Sequence, residues 1–208
     1  MRIKTENLSK RFNREWIFKN LNYEFDSTGT FAIVGPNGSG KSTLLQVLWG
    51  QLVPTSGSIA YSTNDIAIEP SELFKHISIA TPYMDLIDEF TLSEMIDFHF
   101  KFKRLKSKIE LAEIPDLLEL RHASDKLISN FSSGMRQRLK LGLAFFADSD
   151  VLFMDEPTTN LDNKSIEWYW KHLDNILNHR MVIIASNQSH EYPENCSKID
   201  ILAYRKGY

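Results

Sequence analysis

Nine consecutive residues, Gly35-Pro36-Asn37-Gly38-Ser39-Gly40-Lys41-Ser42-Thr43, constrain this chain more than any other stretch of it. They fit the pattern of a glycine, four residues, a second glycine, a lysine and a hydroxyl residue that marks a phosphate-cradling loop. Glycines are required because backbone N–H groups must turn inward toward phosphate oxygens, in conformations and at distances that a Cβ obstructs. Thr30–Val34 (TFAIV) reads as a short buried strand closed by the Gly35-Pro36 turn signal, and Lys41–Trp49 carries Leu44, Leu45 and Leu48 at helical spacing. A chance glycine turn would share the nine residues but not the strand before them and the helix after them. The helix adds its positive N-terminal end to the cradle. There Lys41 is expected to neutralise the β- and γ-phosphates, and the Ser42 hydroxyl to ligate Mg²⁺.

The remaining composition narrows the setting. With 208 residues, 42% of them hydrophobic and 25% charged, the chain fits one globular domain, with room for an inserted subdomain. A formal net charge of -3 gives no basic field, so no nucleic-acid partner is expected. Cys196, the single cysteine, excludes an internal disulfide framework and points to a reducing cytosol. The start, MRIKTENLSK, lacks the apolar stretch of a signal peptide, and the longest apolar runs, such as Leu143–Ala147 and Met181–Ala185, fall far below the roughly 20 residues that span a bilayer. Any membrane work is therefore expected to pass through another chain.

Two further apolar runs, Val151–Met154 and Met181–Ala185, have strand length, and between them Ile166, Tyr169, Leu173, Ile176 and Leu177 form one helical face. Strands alternating with helices imply a parallel sheet covered on both faces. From about Leu92 to Leu120 the pattern is helical and rich in Lys and Glu, with Phe98, Phe102 and Leu105 as candidate core contacts and Lys101–Lys108 as a solvated face. The extended stretches before Thr30 and around Ser56–Ile68 predict a small antiparallel sheet at one edge. The expected fold is α/β, a parallel-sheet core with a small antiparallel β subdomain (about 1–84 and 147–208) and an inserted α-helical subdomain (about 85–146).

The run Val151-Leu152-Phe153-Met154-Asp155-Glu156 ends a buried strand in two carboxylates. Beside a phosphate loop, Asp155 can hold Mg²⁺ and Glu156 can polarise the water that attacks the γ-phosphate. Read alone, the same run is a strand that stops at an acidic turn before Pro157. Shortly before it lies FSSGMRQR, Phe131–Arg138, in which Ser132 and Gly134 precede a helix with Leu139, Leu143 and Phe146 on one face. By itself this is an ordinary serine N-cap, and equally an anion site at a helix start.

The ordered set resembles the ATP-binding cassette family from end to end. FSSGM is similar to the family's LSGGQ signature, Thr159-Asn160-Leu161-Asp162 to its D-loop, and LVPTSGSI (Leu52–Ile59) to the segment after its first helix. The resemblance implies a P-loop NTPase (RecA-like) core and a cassette that closes head-to-tail with a second copy or a paired cassette subunit around two Mg-ATP. The nine residues Gly35–Thr43 would bind the nucleotide of one subunit, and Ser132 and Gly134 that of the other. Ser42 and Asp155 would hold Mg²⁺, and Phe12, in LSKRF, matches the aromatic that stacks on adenine, although a lone Phe is also an ordinary core residue. A separate transmembrane permease subunit is implied, with this chain peripheral on the cytoplasmic face of the membrane.

Departures from the family pattern bear on turnover. Pro82 falls where the family's Q-loop glutamine is expected, and Asn187 stands in place of the switch histidine. Proline has no side-chain donor or acceptor, and asparagine can hydrogen-bond a γ-phosphate but cannot carry its proton. Phe131, Ser133 and Met135 also replace the signature's Leu, Gly and Gln. Slow but real hydrolysis is expected, with Glu156, Lys41 and Asn187 as the catalytic set. Two rivals stay open: an ATP-gated switch acting on a soluble assembly, and a small-molecule kinase, which leaves FSSGM and TNLD unexplained.

Overall fold

The computed structural model describes residues 1–205. In chain order the regular elements are β1 (Arg2–Phe12), β2 (Glu15–Phe25), β3 (Thr30–Val34), α1 (Lys41–Leu48), β4 (Ser56–Thr63), β5 (Ile66–Ala67), β6 (Ile77–Ala80), α2 (Leu92–Phe102), α3 (Ile114–Leu117), α4 (Ser133–Phe146), β7 (Val151–Asp155), α5 (Asn163–Asp174), β8 (Met181–Ala185) and β9 (Ser197–Asp200). They gather into two compact units. Met1–Ile77, Asp150–Glu156 and residues 177–205 form the first; Ser78–Ser149 and Pro157–Ile176 form the second.

In the first unit β2-β1-β4-β5 make an antiparallel sheet, and β7-β8-β3-β9 run parallel. Every residue of β7 and β8 is buried, which is what a parallel strand covered on both faces requires of its composition. The strands expected at Thr30–Val34 and Met181–Ala185 have those bounds, and the third runs one residue beyond its apolar run, to Asp155. Register then decides position. Ile33 pairs with Ala185, and Ala185 with Asp155, so three strands release the chain from one row at the same C-terminal edge.

Leu44, Leu45 and Leu48 of α1 are fully buried, and the helix packs against β7 and β8, with Trp49 meeting Phe153 edge to face at 5.7 Å. The carbonyl of Leu48, orphaned at the helix end, accepts from the Tyr61 hydroxyl of β4 at 3.0 Å. Burial pushes that phenol up to about 12, so it remains a donor across the neutral range.

In the second unit α2 opens on a reciprocal cap between Thr91 and Glu94 and buries Leu92, Met95 and Ile96. Phe98 and Phe102, expected in the core, instead lie on another stripe, 37% and 70% exposed, meeting edge to face at 5.2 Å. Both stripes have helical spacing, and the weight of the aromatic rings favours the wrong one. Leu105 is half-buried. Nor is the helix continuous to Leu120: Lys103 turns extended, Leu105 bridges Ala147, and only single turns follow at Leu111–Glu113 and α3. On α4, Leu139, Leu143 and Phe146 are buried as expected, and α4 packs on α5. From α5 onward Tyr169, Leu173 and Ile176 are buried, while Ile166 and Leu177 are half-buried. The Trp168 indole donates to Leu117 O at 2.7 Å.

Tyr61→Phe keeps the ring and removes the only atom that satisfies Leu48 O from β4. Urea unfolding of that variant is expected to show a loss of about 1 kcal/mol, with the slope unchanged.

Candidate active site

The edge of the parallel sheet carries the phosphate loop. Gly38 and Gly40 have φ of 74° and 105°, left-handed values that side-chain-bearing residues rarely adopt, and between them Ser39 N–H donates to Pro36 O at 3.2 Å. At Gly40 a Cβ would lie 2.2 Å from Ile17 Cγ2, so the position is closed to a side chain by space as well as by conformation. Lys41 begins α1, is only 4% exposed, and donates from Nζ to Gly35 O at 3.0 Å and Pro36 O at 3.2 Å. The ammonium is thus bent back over its own loop by neutral partners, and its charge stays uncancelled by them. Ser39 is buried with its hydroxyl unpartnered, whereas Pro36, Asn37 and Gly38 are exposed.

Two strands over, beyond β8, Asp155 is 2% exposed and its Oδ1 has no hydrogen-bond partner. Burial, above all, pushes its carboxyl up; the Ser42 hydroxyl bonds it and pulls the other way, the charges of Glu156 and Glu191 push up, and Lys41 pulls down. An orphaned buried carboxylate oxygen beside a serine hydroxyl fits a divalent cation, which would take both. No cluster of three or more His, Cys, Asp or Glu set to hold a metal occurs among the described residues. The Asp155 carboxylate and the Ser42 hydroxyl bonded to it are a pair suited to Mg²⁺, an ion that keeps few protein ligands and fills the rest with phosphate and water. Glu156 follows with φ 42°, unusual for a side-chain-bearing residue, its N–H held by Ala185 O at 2.9 Å.

Beyond β8, Ser186 is fully buried; its hydroxyl donates to the Glu191 carboxylate, itself 0% exposed, and accepts from Gln188 N–H at 2.8 Å. That pair shapes the turn on which Asn187 stands exposed. The spacing of the sequence held no signal for Glu191. Phe12, at the end of β1, is 45% exposed with Lys10 Nζ 5.0 Å from its ring, so it is not a core residue. Half-burial pushes the Cys196 thiol up, away from nucleophilic character.

The signature residues belong to the second unit. Ser132 caps α4, accepting from Met135 N–H at 3.2 Å, and Gly134 is small because a Cβ there would lie 3.1 Å from Asn160 O. Asp162 caps α5, and the Ser165 hydroxyl and N–H hold its carboxyl below the usual range. Ser132, Gly134, Asn160, Asp162 and Arg138 line one polar depression of about 420 Å³. Pro82, half-buried between Thr81 and an exposed Tyr83, presents only its carbonyl, which accepts from Lys140.

Comparison with known proteins gives a consistent picture. A sequence-family profile described as ABC transporter matches residues 18–159. The Nod factor export ATP-binding protein I of Ralstonia nicotianae is 26% identical over 96% of this chain and 64% of its own length. The ABC transporter ATP-binding protein YybJ of Bacillus subtilis is 30% identical over 79% of this chain and 75% of its own length. The chain thus spans somewhat less than two thirds of the first of these relatives. Among solved structures, an ABC transporter ATP-binding protein of Pyrococcus furiosus superposes with a TM-score of 0.79 at 20% identity, covering 98% of this chain and 99% of that one. The dimeric bacterial ABC transporter cassette MJ0796 gives 0.75 at 22% identity, covering 91% and 90%. At these identities the superpositions establish the fold.

Asp155→Asn separates stability from binding. A carboxyl whose pKa is raised by folding contributes stability below its ordinary value and loses it as pH rises through the raised one, so at pH 7, above that ordinary value, Asp155 weakens the nucleotide-free protein. The variant is expected to melt at a higher temperature than the parent without nucleotide, by calorimetry, and to lose the further rise that Mg-ATP gives the parent. Gly40→Ala, with at least about 1–2 kcal/mol of backbone strain plus the clash at Ile17, should weaken ATP binding by about tenfold or more in titration calorimetry.

Proposed function

The chain belongs to the ABC transporter family, and from that membership we propose that it is an ATP-hydrolysing cassette that closes on a second cassette around two Mg-ATP to drive a separate membrane-spanning partner. The observation that supports this most is the row Ile33–Ala185–Asp155, from which the phosphate loop, the Ser186–Asn187 turn and the Asp155–Glu156 pair all leave at one edge.

In this reading the amides of residues 38–41 and the Lys41 ammonium bind the β- and γ-phosphates, and Ser42 and Asp155 hold Mg²⁺. Bound there, the cation would neutralise phosphate charge as it builds during transfer. Glu156 orients the attacking water, its unusual backbone fixing the carboxylate just past the strand end. Asn187 hydrogen-bonds the γ-phosphate without moving a proton. Phe12 offers an exposed face to adenine. Ser132 and Gly134 meet the γ-phosphate held by the other subunit, which makes each site the joint product of two chains.

No helix among the described residues is long and apolar enough to cross a membrane; in this reading the membrane-spanning part is a separate polypeptide and this chain sits on the cytoplasmic face. The exposed Phe98 and Phe102 edge of α2 is an apolar surface for that partner. The transport reading draws support from the names of the relatives, which describe export and transporter ATP-binding proteins. It is preferred to a switch acting on a soluble assembly.

Two measurements test the proposal. With Glu156→Gln and Mg-ATP, light scattering should show a dimer, and adding Ser132→Arg should return it to monomer. Steady-state phosphate release by the parent should exceed that of Glu156→Gln by about a hundredfold. A monomer at every concentration, with Ser132→Arg having no effect on any nucleotide response, would sink the reading.

A further inference from the structure

The Pro82 carbonyl is not idle. Lys140 Nζ donates to it at 2.7 Å, and one helical turn earlier on α4 Arg136 Nη1 donates to Asp88 Oδ1 at 2.6 Å. Two backbone bonds fasten the same segment further along: Ser129 N–H to Asp88 O at 3.0 Å and Ile128 N–H to Phe90 O at 2.8 Å. The strap from Pro82 to Phe90 is therefore held at both ends by the stretch that contains and caps α4, all within the second unit. Lys140 is partly withdrawn from water, which loosens its proton, while Asp85 tightens it and Arg136 opposes. An ammonium placed in that way needs its bond, because desolvating a charge without a partner is unfavourable. Tyr83, next to the gripped carbonyl, is 77% exposed.

We propose that Lys140 and Arg136 are positioning residues that make the Pro82–Asp88 strap move as one body with the helix capped by Ser132. A displacement at Ser132 is then delivered to Tyr83 with no glutamine at position 82. Two cations a turn apart on one helix fix both the height and the tilt of the strap, where a single contact would leave a hinge. The inference rests on the reading that Ser132's end of α4 responds to nucleotide.

Hydrogen exchange on the full chain carrying Glu156→Gln, with and without Mg-ATP, tests it. Without nucleotide, Lys140→Met should raise exchange at residues 83–87 by about tenfold, and Lys140→Arg should restore protection. With Mg-ATP, residues 132–136 and 83–87 should slow together in the parent and in Lys140→Arg, but only 132–136 in Lys140→Met. An unchanged strap response in Lys140→Met overturns the proposal, as does a parent in which 132–136 slow and 83–87 do not. If neither segment responds in the parent, the nucleotide clamp falls and this inference with it. Asp88→Ala removes the Arg136 grip without touching α4 and leaves Ser129 N–H on Asp88 O, so it should loosen the strap in part, raising exchange at residues 83–87 by less than Lys140→Met does, and a poorly folded Lys140→Met leaves the question decidable.

Discussion

A polyanion can be held by neutral backbone only where several N–H groups converge with no Cβ between them, and the first unit is arranged around one such place. The parallel sheet supplies the arrangement. Because Ile33, Ala185 and Asp155 share a row, the glycine loop, the Asn187 turn and two carboxylates emerge together, although their residues are far apart in sequence. Lys41 completes the cradle by bonding to the carbonyls of Gly35 and Pro36, which holds the cation in place before any ligand arrives. Preorganisation of this kind is what lets charge stabilise charge without the reorganisation that water would need.

The same edge is where the fold gives up stability. Asp155 is buried with one oxygen unpartnered, Ser39 is buried with its hydroxyl unpartnered, and Glu156 sits at positive φ. Each departs from the rule that buried polar groups are satisfied and side-chain-bearing residues avoid that conformation. Concentrated within a few residues of one row, they are groups that the phosphate oxygens and cation of the proposed site would satisfy. By contrast Tyr61, also buried, is fully used in closing the end of α1.

The sequence carries those parts of the fold in which local preference and tertiary packing agree. TFAIV followed by GPNGSGKST is a strand, a turn and a helix on every local criterion, and so it folds. The α2 stripe is ambiguous in the sequence because two sets of apolar residues share helical spacing, and only packing chooses Leu92, Met95 and Ile96 over Phe98 and Phe102. Side-chain bonds that span the chain leave no local trace. Arg136 meets a carboxylate 48 positions away and Lys140 a carbonyl 58 positions away, and neither partner is marked by any motif. Glu191 was equally silent, since a glutamate reads as surface until a serine is found buried beside it.

The two replaced positions, Pro82 and Asn187, show what such bonds are worth to the reading. In both, the side chain the family pattern calls for is absent while the backbone that would present it is firmly held, by Lys140 in one case and by the Ser186–Glu191 pair in the other. Loss of function without constraint would leave those supports with nothing to hold. Asparagine at 187 keeps hydrogen-bonding capacity and gives up titration, so this position brings no imidazole charge. Asp155, whose burial raises its carboxyl pKa, is the group at which a proton would compete with the cation of the proposed site.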